Sequence, residues 1–242
     1  MTTFYEDEDK HYVALDCIIF GFDEGELKLL LLKRKFEPAK GDWSLMGGFL
    51  KSNESLDEGA RRILFQLTGL TNIYMEQLQS YGDVNRDPGE RTISIAFYAL
   101  IKVDDNDRKL AEAHGAHWVS INKVPQLIFD HNKMVEKALK TLRNKIVIKP
   151  IGFELLPEKF TLPQLQSLYE AINQEQLDKR NFRKRILETG LLDKMDEKER
   201  GSSKKGAFYY MFNNEKYRMF AELGFHFQMK VKKDPLIKEF AK

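Results

Sequence analysis

The chain has 242 residues, 42% hydrophobic and 31% charged, enough to pack one large domain or two modest ones and too apolar for wholesale disorder. Its longest stretch without a charged residue, Ile63–Met75, is too short and too polar to span a membrane. The acidic start, Met1–Lys10, is neither a signal peptide nor a basic transit sequence, and the single cysteine, Cys17, excludes an internal disulfide and a Cys-based zinc finger. These features predict a soluble, cytoplasmic protein. In chain order, the apolar run Tyr12–Phe22 predicts a strand, Asp23-Glu24-Gly25 a hairpin turn, and Leu27–Lys33, with four consecutive leucines, a return strand buried on both faces. Pro38 and Gly41 mark 35–42 as a loop. Ser55–Leu67 reads as a helix, opened by a Ser55/Glu58 capping box and stopped at Gly69. Strands follow at Thr92–Val103 and His117–Ser120, then a helix over Asn132–Asn144 with Val135, Ala138, Leu139 and Leu142 on one side.

The texture then changes. Net charge is −2 up to residue 150 and +4 beyond it, too little to establish nucleic-acid binding by itself. With Pro150, Gly152 and Pro157, however, it predicts two domains, 1–145 and 160–242, joined by a connection over 146–159. Thr161–Asn173 is a helix with a Thr161/Gln164 capping box and Pro163 in its first turn. A short break leads to a second helix, Asp178–Thr189, whose Phe182 and Ile186 make an apolar side opposite Lys179, Arg180, Arg183 and Lys184. A Gly/Ser/Lys tip at 201–206 and an aromatic strand, Ala207–Phe212, complete the order of a winged helix-turn-helix.

Gly48, Glu54, Arg62 and Gly69-Leu70 stand at the spacing of the Nudix box, and Trp43-Ser44-Leu45-Met46-Gly47-Gly48 resembles that family's entry, with Met46 where proline is usual. The resemblance implies helices sandwiching a mixed β-sheet over residues 10–145. It also implies where catalysis would sit: in Nudix hydrolases, glutamates of the box helix hold Mg²⁺, a hard cation that takes oxygen ligands. Those acids fall here at Ile63, Gln66 and Leu67, so the box is expected to be a scaffold without hydrolase activity, metal or cofactor, with Glu58 serving as a cap. The segments Glu76–Asp83, Arg86–Arg91, Ser94–Leu100 and Phe129-Asp130-His131, followed by Phe160-Thr161-Leu162 and Leu177–Arg183, resemble the Nudix-related transcriptional regulators of the NrtR family. The likeness runs over nearly the whole chain and implies an α/β Nudix-like sandwich followed by a C-terminal winged-helix (α+β) DNA-binding domain.

The expected effector site comprises Trp43, Asp83, Arg86, Asp87, Glu90, Arg91, Phe97, Asp130 and His131. These are charged and aromatic groups suited to a polyhydroxylated or phosphorylated ligand. The expected DNA-contacting residues are Lys179, Arg180, Asn181, Arg183, Lys184, Lys204 and Lys205, because Arg and Asn read base edges and Lys meets phosphate. The mixed carboxylates and guanidinium groups of the first domain suit a neutral sugar better than a diphosphate. The expectation is therefore a homodimeric regulator of sugar use that binds operator DNA and answers to a pentose, with ADP-ribose second. The alternatives are a regulator of NAD metabolism sensing ADP-ribose and a divergent ADP-ribose or nucleotide-sugar pyrophosphohydrolase.

Overall fold

A computed structural model describes residues 7–23, 25–150, 152–199 and 206–223. The chain divides into two units, Met1–Gly21 with Lys28–Ala138, and Phe22–Leu27 with Leu139–Lys242.

The first unit is organised by a seven-stranded sheet. β1 (Tyr12–Asp23) lies at its centre and is buried from Leu15 onward. β2 (Glu26–Lys33) flanks it, and Leu29, Leu30 and Leu31 are fully buried, as consecutive leucines require in a strand covered on both faces. β3 (Trp43–Ser44) pairs antiparallel with β2, and β4 (Met46–Phe49) with β1. α1 (Leu56–Thr68) carries the expected reciprocal capping box between Ser55 and Glu58, and Gly69 ends it at a φ of 74°. β5 (Glu76–Tyr81) and β6 (Thr92–Lys102) form an antiparallel pair. α2 (Asp105–Ala113) leads to β7 (Ala116–Ser120), which pairs antiparallel with β2, and Trp43 and Leu127 form an isolated parallel bridge. Leu15, Cys17 and Ile19 of β1 pack with Ala60, Ile63 and Leu64 of α1 and Phe97 of β6 in one core. Burial pushes the Cys17 thiol up, and it donates to Ala60 O at 3.7 Å, so it is a packing group and not a reactive one.

α3 (His131–Ile148) overruns the expected helix end at Asn144. The apolar spacing Leu139, Leu142, Ile146 continues its buried stripe, and Ile146 is 1% exposed. A single 3₁₀ turn, Phe153–Leu155, follows, with Phe153, Leu155 and Leu156 buried. The expected connection over 146–159 thus falls within the second unit and contributes Ile146, Phe153, Leu155 and Leu156 as buried residues.

That unit adds β8 (Phe160–Thr161), α4 (Leu162–Asn173), α5 (Lys179–Glu188), β9 (Leu192–Glu199), β10 (Ala207–Phe212) and α6 (Asn214–Glu222), with the strands in the order β8-β10-β9. Leu165, Leu168 and Ile172 of α4 are fully buried. Tyr169 meets Phe182 of α5 edge to face, ring centres 5.5 Å apart. The break between the helices is fixed by Glu170, whose Oε1 accepts from Gln166 Nε2 and from the Leu177 N–H, each at 2.8 Å.

Candidate functional site

The first unit contains a cleft of about 120 Å³ beside the β1–β4 pairing. At its polar end lies a buried network. Asp16, 4% exposed on an otherwise apolar strand, accepts from Ser94 Oγ at 2.6 Å. Arg86, 7% exposed, makes a two-pronged bond to Asp130, with Nε to Oδ2 at 3.0 Å and Nη2 to Oδ1 at 2.8 Å, and lies 3.7 Å from Asp16. Burial works against its charge, but the bonds to Asp130 and the charges of Asp130, Asp16 and Asp87 outweigh it and raise its pKa. His131 is held below the ordinary histidine range by burial. Its Nδ1 accepts the Leu45 N–H at 3.2 Å, which leaves the ring proton on Nε2, 3.6 Å from Asp16 Oδ1.

Of the expected effector residues, Arg86, Asp130 and His131 come together here, and half-buried Asp87 lines the same cleft, its Oδ1 capping the Gly89 N–H at 2.9 Å. Others do not join them. Asp83 and Glu90 are exposed and outside the lining, and Arg91 Nη1 donates to Asp83 O at 3.2 Å. Trp43 also lies outside the lining, edge-on to His117 at 5.7 Å with Lys33 Nζ 5.4 Å from its ring centre. Phe97 is 1% exposed in the core, because its position on β6 faces α1. Asp16, Ser94, Arg34 and Phe36 were not anticipated. An aspartate within the apolar run Tyr12–Phe22 was a visible signal for the first of them. Nothing in local spacing marks the rest.

The other wall of the cleft carries the box. Leu67, at one metal-acid position, lines it among apolar groups including Leu32 and Phe49. Ile63 is 2% exposed beneath Gly48, where an added Cβ would come within 3.1 Å of it. Gln66 accepts from Arg62 Nη1 at 3.1 Å. Glu54 is clasped by Arg62, with Nε to Oε2 at 2.7 Å, and its pKa is driven down to about 2 chiefly by that bond. Glu58 takes the Ser55 N–H and hydroxyl, each at 2.8 Å. Among the described residues no group of three His, Cys, Asp or Glu side chains is placed to hold a metal ion. The donors present do not fit the cation cluster of a Nudix hydrolase.

In the second unit, Asp178 caps α5 by accepting the Asn181 N–H at 2.8 Å. Phe182 and Ile186 turn inward, while Lys179, Arg180, Asn181, Arg183 and Lys184 are all exposed on the outer side. Lys184 lies 3.8 Å from Glu188, so one of those charges is partly answered within the helix. On the β9–β10 hairpin, Lys194 and Lys198 reach over the Phe208 ring, 3.7 and 4.4 Å from its centre. Lys204 and Lys205 lie outside the described residues.

Two family profiles match in this order, the NUDIX domain over residues 10–140 and the NrtR DNA-binding winged helix domain over residues 152–212. An ADPR-responsive transcriptional repressor of Acinetobacter baylyi is 32% identical over 209 residues, 85% of this chain and 83% of its own length. The chain belongs to the NrtR family. The crystal structure of Shewanella oneidensis NrtR with a 27mer DNA is 27% identical, with a TM-score of 0.69 over 83% of this chain and 93% of that one. The Nudix domain of the same protein with ADP ribose is 26% identical, with a TM-score of 0.52 over 58% and 94%. An ADP-ribose pyrophosphatase of Methanocaldococcus jannaschii is 35% identical over 129 residues, 53% of this chain and 73% of its own. These likenesses overturn the expectation of a pentose-responsive sugar regulator, since the Acinetobacter relative is an ADPR-responsive repressor and the Shewanella Nudix domain holds ADP ribose. The physical argument for a sugar also weakens on the geometry. Of the carboxylates expected to meet sugar hydroxyls, Asp83 and Glu90 lie outside the cleft lining and Asp130 is taken up by Arg86.

Proposed function

We propose that this NrtR-family chain is a transcription regulator of NAD metabolism, with the cleft of its Nudix unit binding ADP-ribose and its winged-helix unit binding operator DNA. What supports the reading most is that a single ADPR-responsive repressor matches across both units, so the effector-binding and DNA-binding halves come as a pair. In this reading Asp87 and the Arg86–Asp130–His131 network shape the effector cleft. The exposed side of α5 enters the major groove, where Arg183 and Asn181 are the residues able to make bidentate base contacts. Lys179, Arg180, Lys184, Lys204 and Lys205 supply phosphate contacts, and two copies of the chain read a palindromic site.

The Nudix unit acts in this reading as a sensor without turnover. Diphosphate hydrolysis by a Nudix box requires a divalent cation held by several carboxylates, and Ile63, Gln66 and Leu67 replace three of them. The Methanocaldococcus pyrophosphatase supports the rival reading, that of a hydrolase, over the first unit alone. The two are separated by incubating the full chain with ADP-ribose and Mg²⁺ while following both binding and product. Saturable binding is expected, with hydrolysis at background. Steady turnover that Glu54→Gln abolishes would overturn the sensor reading.

A further inference from the structure

The cations lining the cleft are Arg34, Lys35 and Arg86. Arg86 is committed, because Asp130 occupies both prongs of its guanidinium and Asp16 stands beside it. Arg34 is not. It lies just beyond β2, half-buried, and its backbone is locked on both sides, with its N–H donating to Asp42 O at 2.9 Å and its carbonyl accepting from Gly41 N at 2.8 Å. Its Nε donates to Phe36 O at 3.1 Å, and the guanidinium lies 4.1 Å from the centre of the Phe36 ring and 5.4 Å from that of Phe129. Among the described residues it enters no ion pair within 4.0 Å. Partial burial lowers its pKa, opposed by Asp87, Asp16 and Glu37 acting from beyond contact. A fixed, partly desolvated guanidinium whose outer nitrogens make no hydrogen bond among the described residues favours a bidentate oxyanion.

The opposite wall closes off the alternative. A diphosphate leaving water needs its charge met by a metal or by a cationic side chain. Where a Nudix hydrolase places metal-binding acids, this cleft presents Leu67 beside Leu32 and Phe49.

Resting on the ADP-ribose reading above, we infer that Arg34, and not Arg86, holds the effector's diphosphate, and that it does so directly, without a bridging divalent cation. Arg86 is then a positioning residue that fixes the cleft wall through Asp16 and Asp130. The full chain, with its Arg34→Gln and Arg34→Lys variants, is titrated calorimetrically with ADP-ribose and with inorganic diphosphate, each in EDTA, and melting temperatures check the fold. The native chain should bind both ligands without metal. Arg34→Gln should weaken both about 10–100-fold, the loss of a charge-assisted bond. Arg34→Lys, which keeps the charge and loses the fork, should fall between them. Undiminished ADP-ribose binding by Arg34→Gln, or binding by the native chain only when Mg²⁺ is supplied, would overturn the inference while leaving the ADP-ribose reading intact. Arg34-dependent binding of diphosphate without binding of ADP-ribose would do the reverse. Binding of neither ligand would overturn both.

Discussion

Replacing Arg86 by alanine is expected to lower the stability of the Nudix unit by about 3–5 kcal/mol. The side chain is 3% exposed and its partners Asp130 and Asp16 are 11% and 6% exposed, so little solvent screening discounts the interaction. The cost arises less from the attraction lost than from what stays behind, two carboxylates out of water with their cation removed. Urea unfolding followed in the Nudix unit should show a lower midpoint at unchanged slope. Adding Asp130→Asn to the Arg86→Ala chain should recover part of the loss, because the neutral amide no longer needs a countercharge, and a double-mutant cycle measures that coupling. A cost below about 1 kcal/mol would place Arg86 in the class of solvated surface pairs.

Phe182→Ala is expected to cost the winged-helix unit about 3–5 kcal/mol. Phe182 is 4% exposed and seats α5 on Tyr169 of α4, with Ile186, fully buried, one turn further on. Losing the ring leaves a cavity that α5 cannot close while its cap at Asp178 and the Glu170 clamp hold its start in place. Operator binding should be lost with the second unit's thermal transition lowered, while calorimetric affinity for ADP-ribose stays at the native value. The exposed neighbours behave oppositely. Arg183→Ala or Asn181→Ala should leave melting unchanged and cost about 1–3 kcal/mol on the cognate operator alone. A Phe182→Ala chain that melts and binds DNA as the native chain does would mean that α5 is not held by this contact.

The elements legible in the sequence are those with a local chemical signature. The reciprocal boxes Ser55/Glu58 and Thr161/Gln164 announce α1 and α4 within a residue of their observed starts. β9 carries no such mark. Its Leu192–Glu199 run is mostly charged and does not alternate, and it is a strand because β10 pairs with it from Phe212–Leu192 to Ala207–Glu199. α2 is hidden in the same way, with Ala111 its buried residue among acids and bases. In the run from Ile146 to Pro157, Pro150 and Gly152 mark the break that follows α3, whereas the burial of Ile146, Phe153 and Leu155 has no local signature. The site follows the same rule. Asp130-His131 is visible as a short motif, but the Arg86–Asp130 bond spans 44 residues, and no spacing reveals which carboxylates it consumes. Counting Asp83, Glu90 and Asp130 as free cleft groups beside Arg86 led to a neutral sugar, whereas Asp83 and Glu90 lie outside the cleft lining and Asp130 is bonded to Arg86. Seeing Arg86 paired leaves Arg34 as the uncommitted guanidinium.

An effector regulates by binding the DNA-competent and DNA-incompetent arrangements with different affinity, and a 100-fold change in operator affinity needs a difference of about 2.7 kcal/mol. Fluorescence anisotropy of labelled DNA from upstream of the chain's own gene, titrated with the full chain and then with ADP-ribose, measures that coupling directly. Sequence-specific binding at physiological salt is expected, shifted about 100-fold by ADP-ribose and unmoved by adenosine or free pentoses. A protein–DNA complex indifferent to saturating ADP-ribose would contradict the account.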